Sequence, residues 1–392
     1  RKTNNFLTNI IRDYFLPHCG SNNYEKAYFL GNMVKELINV KLSLRKKTDR
    51  DSYIYKRVDT SGFLISSIFR DLYFRVRTKL IHSLNTNYAK KGGDSYWSEA
   101  SRFENFVTED GKDSSISIDN VIDVKIMNEG FLYAFKNCWG LKDAPCKQGI
   151  TQDINRLSYS GFISHLRRVN TPLSSSAKVR APHQLHLSSI GIMCPYETPD
   201  GGNIGLRKNI ALFSNITSGT NSNNLLRLLY SSGLENILQI DSSKNTYTKV
   251  FLNEKLVGYT RKPYFMNRKL KLLKRNALIN IYTSIAWYID ISTIKISTDS
   301  GRGVRPVFVV GDNQEIALNN EIINRISDSN DKLNWYHLVG GTRSENLSKE
   351  IPFDDTDGTY YHIDYENDLE KLEKTAGIIE YIDPEESNVS LI

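Results

Sequence analysis

The sequence predicts an α+β chain of several domains, helix-rich in its first third and mixed but strand-rich in its second half. Three observations carry that expectation. Apolar residues recur at helical spacing as far as Leu84. Beyond Leu206 short apolar runs alternate with turn residues. Between the two, no Asp or Glu occurs from Asn155 to Tyr196, although Arg156, Arg167, Arg168, Lys178 and Arg180 all do. At 392 residues the chain is long enough for two or three domains.

Phe6, Ile10 and Tyr14 set a first helix, and Leu30, Val34, Leu37, Ile38 and Leu42 set a second from Tyr24 to Leu44. Phe15 to Gly20, with its Pro and Gly, separates them. A polar hinge follows at Arg45 to Arg50, then a long helix from Thr60 to Leu84. After the basic stretch, Ala211 to Phe213, Val250 to Leu252 and Ile289 to Ile296 read as strands. Asn215 to Asn224, rich in Ser, Thr, Asn and Gly, reads as a flexible loop, and Asp299 to Arg302 as a turn between two strands. Gly377 to Asp383 reads as a further strand. The chain begins with Arg1 and stops in Val389 to Ile392, which reads as a buried strand in want of neighbours, so the polypeptide is expected to continue.

Hydrophobic content of 40% and charged content of 24% are those of a globular protein. The net charge of +7 is modest, but basic residues gather in Arg156 to Lys208 and Arg261 to Arg275, and acidic ones in Asp354 to Glu386. Basic clusters favour a nucleic-acid partner and an acidic end would repel one. Cys19, Cys138, Cys146 and Cys194 form no CxxC pair, which argues against a zinc ribbon or a disulfide framework and fits a reducing compartment. No apolar run approaches the length of a membrane span, and no secretory apolar segment opens the sequence, so membrane and export roles are not expected.

The carboxylate-free stretch cannot neutralise itself, which suits a surface laid against phosphates. It ends in Thr198-Pro199-Asp200-Gly201-Gly202-Asn203-Ile204-Gly205, where proline fixes one φ and the glycines permit positive φ. Arg167 and Arg168 are adjacent, so one can face phosphate while the other packs. Lys178 and Arg180 sit in a loop, Thr171 to Arg180, and Gln184 suits a hydrogen-bonding wall. Glu197 and Asp200 invite either a metal or acid–base role, or plain capping and turn roles. His165, His183 and His186 lack the spacing of a metal site. The charges of Asp49, Arg50, Asp51, Lys56, Arg57 and Asp59 read as an ion-pair network joining elements.

The words of this sequence, in order, resemble the second-largest subunit of multisubunit DNA-directed RNA polymerases. They are FLPHCG at Phe15, KAYFLG at Lys26, DRDSYIYKRVD at Asp49, GFLISSIFRDL at Gly62, HLRRVNTP at His165, RAPHQLH at Arg180, CPYETPDGGNIGL at Cys194, ISTDSGRGVRPVFVV at Ile296 and GIIEYID at Gly377. A shorter word, Asn137 to Gly140 with Gly149 to Gln152, precedes the basic stretch. The resemblance is weakest over 89–121 and 312–356. It implies four segments: the end of a lobe and protrusion over 1–138, a fork domain over 139–213, external region 1 over 214–311, and over 312–392 external region 2 with a return towards the fork.

The resemblance further implies that Arg167 and Arg168 lie beside the main channel near the template–RNA hybrid, in nucleic-acid contact or channel structure, that Lys178 and Arg180 meet phosphates at the downstream edge of the bubble, and that Arg156 and Gln184 also bind nucleic acid. It implies that Glu197 and Asp200 lie near the incoming nucleoside triphosphate, Asp200 standing where the family has the longer Glu. Catalytic Mg2+ would be held by the largest subunit, for no aspartate-rich loop occurs here, so this chain carries no catalytic residue and no metal of its own. The largest and the smaller polymerase subunits are the implied partners. Asn, Ile, Lys and Tyr are abundant, which suggests an AT-rich gene and a viral or plasmid-borne source; the compartment stays open between nucleus, and cytoplasm or virion. Two rival readings stand beside this one. The first is a non-enzymatic single-strand-binding module that stacks bases on Tyr159 and Phe162; the second is a structural subunit whose basic runs are solvated surface.

Overall fold

The structure, a computed structural model, describes residues 2–90, 124–136, 139–142, 147, 149–173, 179–237, 247–311, 314–327, 334–341 and 366–390. Its helices are α1 (Lys2–Asp13), α2 (Asn23–Lys41), α3 (Ser61–Lys90), α4 (Val124–Lys136), α5 (Tyr159–Leu166), α6 (Asn223–Ser231), α7 (Pro263–Arg275), α8 (Asn320–Ser327), α9 (Trp335–Gly340), α10 (Glu366–Thr375) and α11 (Pro384–Val389). Its strands are β1 (Arg168–Asn170), β2 (Arg207–Asn209), β3 (Asn215–Ile216), β4 (Glu235–Asn236), β5 (Thr248–Leu252), β6 (Lys255–Thr260), β7 (Ser284–Tyr288), β8 (Thr293–Ser297), β9 (Gly303–Phe308) and β10 (Ile379–Ile382). Helices and several small sheets together make the predicted α+β architecture. The chain forms two compact units, each discontinuous in sequence: 1–58 with 184–196 and 210–392, and 59–183 with 197–209.

The larger unit is built on a five-stranded sheet in the order β4-β6-β5-β8-β7. β5 and β6 form a hairpin whose turn residues Asn253 and Glu254 both have positive φ, as a tight hairpin turn requires. β8 returns parallel to β5 because α7 crosses over between the hairpin and β7. The core lies where α6, α7 and α10 meet this sheet, with Leu228, Leu229, Met266, Leu270, Leu273, Ile294 and Leu372 buried. A second sheet, β10-β9-β3, buries Val304, Ile379 and Tyr381 with Val339 of α9.

At the start of this unit, Lys26 of α2 is buried and its ammonium donates to the carbonyls of Ile11 (2.6 Å), Arg12 (2.8 Å) and Phe15 (2.7 Å). Those carbonyls close α1, where a helix lacks internal partners and where its dipole favours a cation. Leu16, at φ 46°, turns the chain into Pro17–Cys19 and on to α2.

The smaller unit packs α3 on α4 around Ile68, Leu72, Ala134 and Trp139. Gly130 is the point of closest approach: a Cβ there would lie 2.3 Å from Leu72 Cδ2. The two-stranded ribbon β1-β2 completes it.

Several local expectations change. Ala211 to Phe213 is a turn, not a strand, and Leu212 and Phe213 are exposed. Ile289 to Ser292 is the turn between β7 and β8, with Ser292 at φ 46°, so the expected strand begins only at Thr293. The Asp299 to Arg302 turn does follow one strand and precede another, but these belong to different sheets. Asn215 to Asn224 is tied down by its own side chains: Thr217 Oγ1 donates to Asp299 O and accepts from Arg302 N–H, and Asn221 Oδ1 accepts from Asn223 N–H. Val389 ends a helix, not a strand, and Leu391 and Ile392 lie outside the described residues.

Candidate nucleic-acid interface

The carboxylate-free stretch folds in the smaller unit as α5 followed by β1. Ser158 caps α5, its Oγ accepting from Gly161 N–H at 3.0 Å. Arg167 closes the helix and Arg168 opens the strand, so the pair straddles an element boundary. Arg168 is exposed and Arg167 half-buried.

β2 pairs antiparallel with β1, setting Arg168 opposite Asn209, Val169 opposite Lys208 and Asn170 opposite Arg207. Alternation then puts Arg168, Asn170, Arg207 and Asn209 on one face of the ribbon. Two cationic segments 40 residues apart by number thereby become neighbours. Burial pushes the Lys208 ammonium below its usual range, whereas an arginine keeps its charge. Arg207 and Lys208 are the contributors that spacing arguments did not single out; only the pairing brings them beside Arg168.

The turn at 197–205 is laced at both ends. Thr198 Oγ1 accepts from Gly205 N–H (2.9 Å) and donates to Arg207 O (2.9 Å). Asn209 Nδ2 donates to Glu197 O (3.1 Å), and Ser164 of α5 donates to the Glu197 carboxylate. Gly205, at φ +72°, presses on His183, where a Cβ would lie 2.4 Å from the carbonyl oxygen. His183 Nδ1–H donates to Ile204 O at 2.7 Å. Asp200, by contrast, is exposed and its side chain caps nothing. The two carboxylates therefore differ: Glu197 is engaged within the protein, and Asp200 faces solvent at the tip of a braced turn.

Arg156 and Arg180 are exposed, Lys178 lies outside the described residues, and Gln184 is an exposed member of the larger unit. The histidines are structural. Nδ1 of His165 accepts from Asn155 N–H, which leaves Nε2–H to donate to Gln152 Oε1. His186 accepts from Ser188 N–H and donates to Asp49 Oδ2. Among the described residues no three His, Cys, Asp or Glu gather to hold a metal ion. None of the described helices is long and apolar enough to cross a membrane.

The second basic run is a correction. Most cations of α7 are turned inward or matched: Lys269 and Lys274 are buried, Arg275 pairs with Glu380, and Arg268 with Glu373. Lys274 lies between Glu380 and Glu386. The acidic end of the chain therefore neutralises the basic helix. The charges of Asp49 to Asp59 also reach outward, Asp49 to His186 and Arg57 to Asp299 at 2.7 Å each.

Comparison with known proteins accords with these features. Residues 152–216 match the family model described as RNA polymerase Rpb2, domain 3, and residues 250–311 match RNA polymerase Rpb2, domain 4. The chain is 31% identical over 384 residues to DNA-directed RNA polymerase II subunit RPB2 of Encephalitozoon cuniculi, covering 96% of this chain and 28% of that protein. It is 33% identical over 342 residues to DNA-directed RNA polymerase II subunit 2 of Arabidopsis thaliana, covering 85% and 27%. Against DNA-directed RNA polymerase subunit Rpo2 of Sulfolobus acidocaldarius identity is 26% over 317 residues, covering 77% and 26%. The chain thus spans little more than a quarter of the length of these relatives, which are eukaryotic and archaeal and lend no support to a viral source. With two consecutive Rpb2 domains and relatives matched along most of its length, the chain belongs to the family of second-largest subunits of DNA-directed RNA polymerases.

Proposed function

We propose that this chain acts within a DNA-directed RNA polymerase, in the second-largest subunit, lining the DNA and RNA cleft at the downstream fork during template-directed synthesis. The pairing of β1 with β2 carries the reading, because it assembles Arg168 and Arg207 on one face beside the braced turn that presents Asp200. Arginines on such a ribbon attract phosphates and release their bound cations. In this reading Arg156, Arg167, Arg168, Lys178, Arg180 and Gln184 contact nucleic acid. Glu197 holds the turn to α5, and Asp200 lies towards the incoming nucleoside triphosphate. The largest subunit supplies the Mg2+ that activates the attacking oxygen and the leaving pyrophosphate. The segments 1–138, 139–213, 214–311 and 312–392 are proposed as lobe and protrusion end, fork, and two external regions.

A single-strand-binding module remains the second reading because Tyr159 is 82% exposed and free to stack on a base; Phe162 is half-buried and unsuited to that role. One assay decides between them. The whole subunit that carries this chain is assembled with its large partner and tested for Mg2+-dependent extension of an RNA primer on a bubble template. Extension weakened by Arg168→Ala and Asp200→Ala is expected. Full activity in both variants would refute the site assignments, and absence of extension from a correctly assembled complex would favour the binding module.

A further inference from the structure

Arg305 of β9 is an arginine prepared for an anion that the described residues do not supply. Its Nε is buried without a hydrogen-bond partner. Three other cations of the same unit are matched: Arg302 pairs with Asp383 and Asp299, Lys274 with Glu386, and Lys295 with Glu385. An unpaired buried donor of a charged group is costly, so its persistence asks for an occupant.

The surroundings hold Arg305 in place. Gly191, at φ +72°, lies against the guanidinium stem: a Cβ there would be 2.6 Å from Arg305 Cδ and 3.0 Å from Nη1. The side chain borders a cavity of about 570 Å³ within the larger unit. The carboxylate on that wall, Asp49, is already engaged, with Oδ2 on His186 and Oδ1 on the Asp51 N–H, and the His186 bond holds it below the usual carboxylate range. It stays charged and would repel a dianion such as a phosphate monoester. Around the cavity mouth Leu187 is 81% exposed, Ile190 59% and Tyr55 53%, so an apolar rim extends past the cavity itself. A singly charged group attached to an extended apolar body meets both conditions.

We propose that this cavity is a docking site for a peptide segment of a partner protein, with one Asp or Glu carboxylate on the Arg305 guanidinium and neighbouring apolar side chains on Leu187 and Ile190. The site uses none of the residues assigned to nucleic acid, so it stands or falls apart from that assignment. Arginine suits the task, for its fork can take both carboxylate oxygens while the apolar rim excludes water.

The test is fluorescence anisotropy with a labelled Leu-Glu-Leu-Ile peptide, its Leu-Gln-Leu-Ile counterpart and one with phosphoserine in place of Glu, titrated against the full chain. The Glu peptide should bind about tenfold or more tightly than the Gln peptide, the size expected of a hydrogen-bonded charge pair. Arg305→Gln should abolish that preference, and Arg305→Lys, which keeps the charge, should retain part of it if the Gln variant fails to fold. No binding, equal binding of Glu and Gln peptides, tighter binding of the phosphoserine peptide, or a preference that survives in Arg305→Gln would each overturn the proposal.

Discussion

Lys274 Nζ lies 2.9 Å and 3.0 Å from the two carboxylate oxygens of Glu386, and both side chains are almost wholly out of solvent. A third contact, 3.2 Å to Glu380, makes the lysine a bridge between α7, β10 and α11. Glu386 also accepts from the Ile285 N–H of β7 at 2.9 Å. The buried cation and its carboxylate partners thus join α7 and β7 to β10 and α11, which lie far along the chain.

Replacing Lys274 by Met should be strongly destabilising, by about 3–5 kcal/mol, because two carboxylates would be left buried with their main partner removed. Chemical denaturation of the chain provides the measurement. A loss below about 1 kcal/mol would mean that the bridge adds little beyond hydrophobic packing.

The same cluster predicts how stability depends on pH. Burial pushes Glu386 up to about 7, with Asp383 and Glu380 adding to the rise against the pull of Lys274. A carboxylate whose folded value is raised favours the fold fully below its unfolded value, and that contribution is lost as pH rises through the folded one. Glu380 is opposite: burial opposes its charge, but Lys274 and Arg275 outweigh it and bring it down to about 2. Its contribution is present above the ordinary carboxylate range and is lost as pH falls towards that value. Stability should therefore decline on either side of the ordinary carboxylate range. Glu386→Gln should lower the whole curve while flattening its fall on the side approaching 7; an unchanged slope in melting temperatures across that span would contradict this.

Gly205→Ala should loosen the 197–205 turn. Positive φ alone costs about 1–3 kcal/mol for a residue with a Cβ, and here the added methyl also meets His183 O. Hydrogen exchange is the direct check: the amides of Leu206, bonded to Asn203 O, and Thr171, bonded to Leu206 O, should lose protection. Unaltered protection at both would mean that the turn tolerates a side chain.

The two basic runs should behave differently towards duplex DNA. Arg168→Ala and Arg180→Ala should each reduce the slope of log affinity against log salt by about 0.9, the value for one phosphate contact. Arg268→Ala should leave the slope unchanged, since its guanidinium pairs with Glu373. Equal effects from Arg168 and Arg268 would remove the distinction drawn between the runs.

These contrasts also mark what the sequence makes legible. Periodicity revealed α1, α2 and α3 because each repeats over many residues, and the short apolar run Val250 to Leu252 marked β5. The identities of Arg167, Arg168 and the glycine turn were legible because the absence of carboxylates around them is a local property. Long-range neutralisation was not: that Lys274 meets Glu380 and Glu386 depends on pairing across more than a hundred positions, which no window of sequence contains. Ser164 and Asn209 escaped notice for the same reason, and Thr198 was read only as part of the turn, since each is an ordinary polar residue until its partner arrives.

The Lys26 ammonium, with its three carbonyl acceptors from the end of α1, has a consequence for how the chain comes apart. Helix ends ordinarily fray one residue at a time, each released carbonyl finding water. Here the release of any one carbonyl strands part of a buried charge, so the last turn of α1 and the first of α2 must open together or stay closed. The stability of the two helix ends is thereby coupled through a single nitrogen.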